Sequence, residues 1–168
     1  MGIFKPTAMK ERLTAISPRL LEKLEARAIL LDVDNTIASY TSHEPIEGAV
    51  DWVREMVTSG FRVIIVSNNY KRRVMPFAAR FGLDCISFAL KPFPFGYLRA
   101  RKRLKTPLKN CVIVGDQIFT DVVGANLCGM KSILLSPIEP EEGVTFQIRR
   151  RFERGFRKKF AFCEDILS

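Results

Sequence analysis

Two carboxylates, Asp32 and Asp34, follow directly on the apolar run Ala28-Ile29-Leu30-Leu31 and sit in the pentapeptide Asp32-Val33-Asp34-Asn35-Thr36. Two acids two positions apart at the end of a strand can enter one pocket. One can then act as a nucleophile while the other carries a proton. A second acidic group, Gly115-Asp116-Gln117-Ile118-Phe119-Thr120-Asp121, follows the apolar run Cys111 to Val114. Its carboxylates suit a hard cation such as magnesium, although Thr120 or Asp121 can equally be read as a helix cap. Between the two groups lie Ser67-Asn68-Asn69 and, further on, Lys91-Pro92. A hydroxyl with backbone N–H groups at a helix start cradles phosphate. A lysine offsets the charge of clustered acids plus a phosphoryl group. Cleaving a phosphate ester needs these parts together: an anionic nucleophile, a proton for the leaving oxygen and neutralised charge.

Each part alone has a plainer reading as a turn, a cap or a solvated lysine, so position must decide. Short Val/Ile/Leu runs alternate with helical patterns along the chain. Strands are expected at Ala28 to Leu31, Arg62 to Val66, Cys111 to Val114 and Ser132 to Leu135, with a weaker one near Cys85 to Phe88. Helices are expected at about Glu47 to Ser59, over Val74 to Phe81, at Gly96 to Leu104 and at Asp121 to Leu127, three of them stopped by Gly60, Gly82 and Gly129. The alternation predicts an α/β fold, a Rossmann-like three-layer sandwich with a central parallel sheet. Ligands of such sheets bind at the carboxyl ends of the strands. Asp32, Ser67, Lys91 and Asp116 all fall there, so one rim should collect them.

In this order and at these places, the motifs resemble the haloacid dehalogenase-like phosphatase superfamily: D-x-D-x-T, then Ser or Thr, then Lys, then Gly-Asp with a further Asp. The resemblance spans about residues 28–136. It implies Asp32 as nucleophile and Asp34 as general acid/base, with Ser67, Asn68 and Lys91 binding the phosphoryl group. It also implies magnesium held by Asp32, Asp116 and the backbone carbonyl of Asp34, with Thr36 and Asp121 in support. The stretches from Asp32 to Ser67 and from Ser67 to Lys91 are too short for an inserted cap domain. Ile64-Ile65-Val66-Ser67-Asn68-Asn69, Lys91-Pro92 and Val114-Gly115-Asp116-Gln117 are similar to the capless (subclass III) YqeG-like group, which includes phosphatidylglycerophosphate phosphatases. Phe93-Pro94-Phe95 departs from that pattern by its aromatic content.

The bulk properties agree with a single domain over residues 1–168, with basic helical segments at both ends. Apolar residues make up 47% of the 168 and charged residues 27%, as in ordinary globular chains. The net charge of +9 favours phosphate-bearing partners: an anionic phospholipid substrate or membrane surface first, nucleic acid second. No run of residues is apolar enough to span a bilayer. The expected location is therefore cytoplasmic, with peripheral contact at the inner face of a membrane. Ile148, Phe152, Phe156 and Phe160 recur every four residues among many Arg and Lys, a stripe able to lie on anionic lipid or to dock on the domain. Leu13, Ile16, Leu20, Leu21 and Leu24 form another amphipathic segment, broken at Ser17-Pro18 and expected to pack on the core. Cys85, Cys111, Cys128 and Cys163 read as reduced thiols, His43 as an exposed loop residue and Trp52 as core. Three readings follow: a phosphatidylglycerophosphate phosphatase, a phosphatase for nucleic-acid ends or soluble phosphomonoesters, and a non-catalytic lipid- or RNA-binding module.

Overall fold

A computed structural model of the chain describes residues 2–139 and 155–157. Six strands form one wholly parallel sheet: β1 (Ala8–Lys10), β2 (Ala28–Leu31), β3 (Arg62–Val66), β4 (Asp84–Ile86), β5 (Cys111–Gly115) and β6 (Lys131–Leu135), in the order β1-β6-β5-β2-β3-β4. Among the described residues the helices that accompany them include α1 (Pro18–Lys23), α2 (Ala49–Thr58), α3 (Lys71–Phe81), α4 (Phe95–Leu104) and α5 (Val123–Leu127). The α/β class and the parallel sheet match the expectation, as does the lack of a cap among the described residues. The strands expected at β2 and β3 have the expected bounds. The weak strand falls one residue earlier and shorter, at Asp84–Ile86. The helix expected from Asp121 starts instead as a π-turn, Ile118–Val122, before α5.

Strand residues alternate between faces, and that alternation divides the core. On β2, Ile29 and Leu31 join Trp52, Val53, Met56, Val74 and Phe77 of α2 and α3 on one face. Ala28 and Leu30 join Tyr97, Ala100 and Leu104 of α4 on the other. Trp52 is core, and its Nε1 donates to the Ile16 carbonyl at 2.7 Å, tying α2 to the N-terminal segment. That segment packs as expected, with Leu13, Ile16 and Leu21 buried. Ser17 caps α1 by accepting from Leu20 N, with Pro18 in the first turn. Strand β1 has no counterpart in the expectation: it pairs with β6 at Ala8–Ile133, Met9–Leu134 and Lys10–Leu135.

The chain runs outward from β2 to β3 and β4, then returns to the other side of β2 for β5 and β6. The direction of winding thus switches between β2 and β5, and a crevice opens at such a switch above the carboxyl ends of the strands. Asp32 leaves β2 and Asp116 leaves β5 at that point. Of the C-terminal stripe, only Phe156 is described: it stacks on Phe4 at 5.1 Å beside Ile118, Val122 and Leu134. Ile148, Phe152 and Phe160 lie outside the described residues, as does Cys163. Cys111 is buried, Cys85 and Cys128 are partly so, and all three are thiols.

Candidate active site

The parallel strands deliver their polar termini to one mouth, lined by Asp32, Asp34, Tyr40, Ser67, Asn68, Asn69, Lys91, Gln117 and Thr120, with a volume of about 260 Å³. At its floor Lys91 Nζ lies 2.8 Å from Asp32 Oδ1 and 2.7 Å from Asp121 Oδ1. Lysine is almost never fully buried unless paired, and here it is 5% exposed between two acids. Burial works against its charge, but Asp121 and Asp32 outweigh that penalty and raise its pKa, so the ammonium stays protonated. Asp32 is pushed up from 3.8 to about 8, first by burial, against the opposing pull of Lys91, and further by Asp121 and Asp116. One lysine does not balance this set of acids.

Asp32, Asp116 and Asp121 each offer a carboxylate oxygen, all within 4.8 Å of one another and all buried. Such a set, all oxygen and rich in negative charge, fits a hard divalent cation such as magnesium rather than a softer ion. Asp34 stands apart from that cluster. Its Oδ1 accepts from Arg73 Nε (3.2 Å) and Nη2 (2.9 Å), and its Oδ2 from Asn69 Nδ2 (3.2 Å). Any hold of Asp34 on the ion would therefore come from its main chain. Asp121, expected only as support, supplies the third carboxylate of the cluster.

Asp121 reaches its place because Gly115 has no side chain. A Cβ at Gly115 would stand 2.2 Å from Asp121 Oδ2. The same Oδ2 accepts from Gln117 N at 3.2 Å. Gly124 performs a like service for Tyr97, whose hydroxyl would meet an added Cβ at 2.2 Å and which donates to the Thr120 carbonyl at 3.0 Å. Burial raises the Tyr97 pKa, so the phenol remains a donor.

Ser67, Asn68 and Asn69 line the mouth and also brace its loops. Ser67 Oγ accepts from Asn69 N at 3.1 Å, which curls the chain ahead of α3. Asn68 clamps the Lys91 main chain: its Nδ2 donates to Lys91 O at 2.9 Å and its Oδ1 accepts from Lys91 N at 2.7 Å. Asn68 thus positions the lysine. Thr36 is 1% exposed in the tight loop where Thr36, Ile37 and Ala38 donate to the Val33 carbonyl. Its hydroxyl has no hydrogen-bond partner among the described residues.

Arg73 has no place in the sequence-based set. Besides Asp34, its guanidinium donates to the carbonyls of Ser39 (3.0 Å), Tyr40 (3.3 Å) and Ser42, and its plane lies over the Phe77 ring at 5.1 Å. It therefore fastens the 39–43 flap to the second carboxylate. The Lys71-Arg72-Arg73 run reads as a solvated helix start, and only its distance of one helical turn from Asn69 hinted otherwise. His43 is exposed, as expected, with Nδ1 3.4 Å from Arg73 Nη1.

A family model described as haloacid dehalogenase-like hydrolase matches residues 4–129. The chain is 32% identical over 151 residues to the Bacillus subtilis (strain 168) protein named "Probable phosphatase YqeG", covering 90% of this chain and 88% of that protein. Two solved structures share the fold. An uncharacterized protein from Listeria monocytogenes serotype 4b superposes with a TM-score of 0.54 at 15% identity, over 69% of this chain and 84% of that one. The cobalt-bound deoxy-D-mannose-octulosonate 8-phosphate phosphatase of Haemophilus influenzae superposes with a TM-score of 0.52 at 14% identity, over 67% and 70%.

Proposed function

The chain belongs to the haloacid dehalogenase-like hydrolases, in their YqeG-like group, and from that premise we propose a magnesium-dependent phosphatase acting on phosphatidylglycerophosphate at a membrane surface. The observation that carries the chemistry is the floor of the mouth. There the Asp32 carboxylate sits 2.8 Å from Lys91 Nζ with Asp116 and Asp121 alongside. In the proposed reaction an Asp32 oxygen attacks phosphorus in line as the bond to the glycerol oxygen breaks, and Asp34 gives that oxygen its proton. Asp34 then takes a proton from water, whose oxygen attacks the aspartyl-phosphate, releasing phosphate and restoring Asp32. Lys91 and the Ser67 hydroxyl hold the phosphoryl oxygens, while Asn68 keeps Lys91 in place. Magnesium, when held by Asp32, Asp116, Asp121 and the Asp34 main chain, supplies charge neutralisation at the phosphoryl group.

The lipid substrate draws support from three features: the absence, among the described residues, of an inserted cap over the mouth, the net charge of +9 and the relationship to the YqeG-like group. A headgroup phosphate cannot leave its bilayer to enter an enclosed pocket, so an open mouth suits it. The full chain with magnesium is assayed against phosphatidylglycerophosphate in vesicles, a 5′-phosphorylated oligonucleotide and a set of sugar phosphates. The lipid should be preferred, and Asp32→Asn should release no phosphate while remaining folded. A clear preference for the oligonucleotide or a sugar phosphate overturns the substrate, and normal turnover by Asp32→Asn overturns the nucleophile.

A further inference from the structure

The loop from Ser87 to Phe95 turns its side chains the wrong way for a surface in water. Lys91 points into the site and Ala89 is sealed into the core face beneath α4. Phe88, Leu90, Phe93 and Phe95 are instead left between 49% and 61% exposed. Phe88 and Leu90 also hold left-handed backbone, at φ 47° and 57°, a region that bulky residues avoid. Hydrogen bonds hold the loop in this form: Phe88 N donates to Asn69 O at 3.1 Å and Ala89 N to Ser67 O at 3.0 Å. Arg99 Nη2 donates to the carbonyls of Ser87 and Phe88. The loop is thus stitched to the turn that carries Ser67. Tyr70, 60% exposed, meets Phe88 edge-to-face at 5.0 Å and extends the apolar strip along the mouth. Strained backbone that ends in large apolar groups facing water is a cost to the isolated fold, of the kind retained at binding surfaces.

The charged residues that flank this strip in sequence are almost all basic. From Phe61 to Gly115 the only acid is Asp84, and Arg103 pairs with it at 2.6 Å. Lys71 and Arg72 open α3 at the same rim as the mouth, and Arg99 stands one turn into α4. All three are exposed. Apolar and aromatic side chains ringed by cations match the two layers of an anionic bilayer interface, acyl boundary and phosphate. We propose that the Ser87–Phe95 loop, with Tyr70, is an interfacial anchor. Leu90, Phe93 and Phe95 enter the headgroup region of an anionic bilayer, Lys71, Arg72 and Arg99 pair with its phosphates, and the mouth is set down beside a lipid-borne phosphomonoester. This deepens the lipid reading given above and rests on it.

The test sediments the full chain with phosphatidylcholine vesicles, with and without phosphatidylglycerol. It is repeated with the double variant Leu90→Asn/Phe93→Ser and with Phe93→Ser alone, which leaves the backbone of residue 90 untouched. Asparagine accepts the left-handed region more readily than leucine, so the double variant should melt no lower than the wild type. The wild type should pellet with the phosphatidylglycerol vesicles, and the double variant should lose about tenfold or more of that affinity. Hydrolysis of vesicle-borne phosphatidylglycerophosphate should fall in step, while p-nitrophenyl phosphate is turned over unchanged. Equal vesicle binding by variants and wild type overturns the anchor. So does an absence of binding by the wild type, or a strip whose loss changes self-association and not lipid binding. Vesicle binding through the loop with no phosphate released from lipid upholds the anchor and removes the lipid substrate, which keeps the two failures apart.

Discussion

Asp32 shows what the site costs the fold. Burial and the neighbouring acids raise its pKa from 3.8 to about 8. Between those values the folded protein keeps a proton that the unfolded chain has released, so stability falls as the pH rises through that window. Asp32→Asn removes the term, and Lys91 still has Asp121 at 2.7 Å. In EDTA, the variant should melt above the wild type at pH 8 by at least about 3 °C, given about 2–4 °C per kcal/mol for domains of this size. The difference should shrink towards pH 5. Differential scanning fluorimetry across that range checks it, and identical curves for the two proteins would mean that Asp32 ionises without penalty. The same residue was legible in the sequence because its acid pair ends an apolar run and opens an ordered set of motifs; alone the pair reads as well as a turn. Lys91 was legible by its order among the motifs, since a lone lysine has nothing else to mark it as buried.

At the level of elements, the flap depends on one side chain of α3. Arg73 bridges Asp34 to the carbonyls of Ser39, Tyr40 and Ser42, using the planar fork that lysine lacks. Arg73→Lys should keep the charge and the fold but lower kcat by about 10–100-fold, because a displaced acid/base group loses near-attack geometry. Steady-state kinetics on a soluble phosphomonoester check this, with KM expected to change little. An unchanged kcat would show that the flap is held by other means. This bridge was hidden in the sequence, where Lys71-Arg72-Arg73 reads like any solvated helix start. Strands β2, β3 and β5 were plain, because a strand buried on both faces is an unbroken apolar run. β1 was not: Ala8-Met9-Lys10 is too short for a period and carries a charge. Its assignment comes only from pairing with β6, a long-range partner that no local pattern reports. The onset of the helix after Asp116 was misplaced for a similar reason, since a π-turn fits Asp121 against Gly115 and leaves no mark in composition.

For the molecule as a whole, an ion held by the acid cluster would couple binding to global stability. A ligand that binds only the native state at 100 times its Kd adds about 2.7 kcal/mol. Magnesium at that level should therefore raise the melting temperature by about 5–10 °C. EDTA should reverse the shift and Asp116→Asn should abolish it, as measured by scanning calorimetry. An equal shift in Asp116→Asn would place the ion elsewhere. The sheet itself carries a further consequence through its outer pair. Thr7 N donates to Ser132 Oγ across 125 residues, and among the described residues β1 has no strand neighbour but β6. Synthesis proceeds from the N-terminus, so β1 leaves the ribosome before β2 to β5, and its partner β6 follows them. During translation the first strand must wait unpaired while β2, β3 and β5 assemble. Contacts so distant in sequence bring a large closure entropy and slow folding, so this edge zips after β2, β3 and β5 have met and the crevice has taken shape.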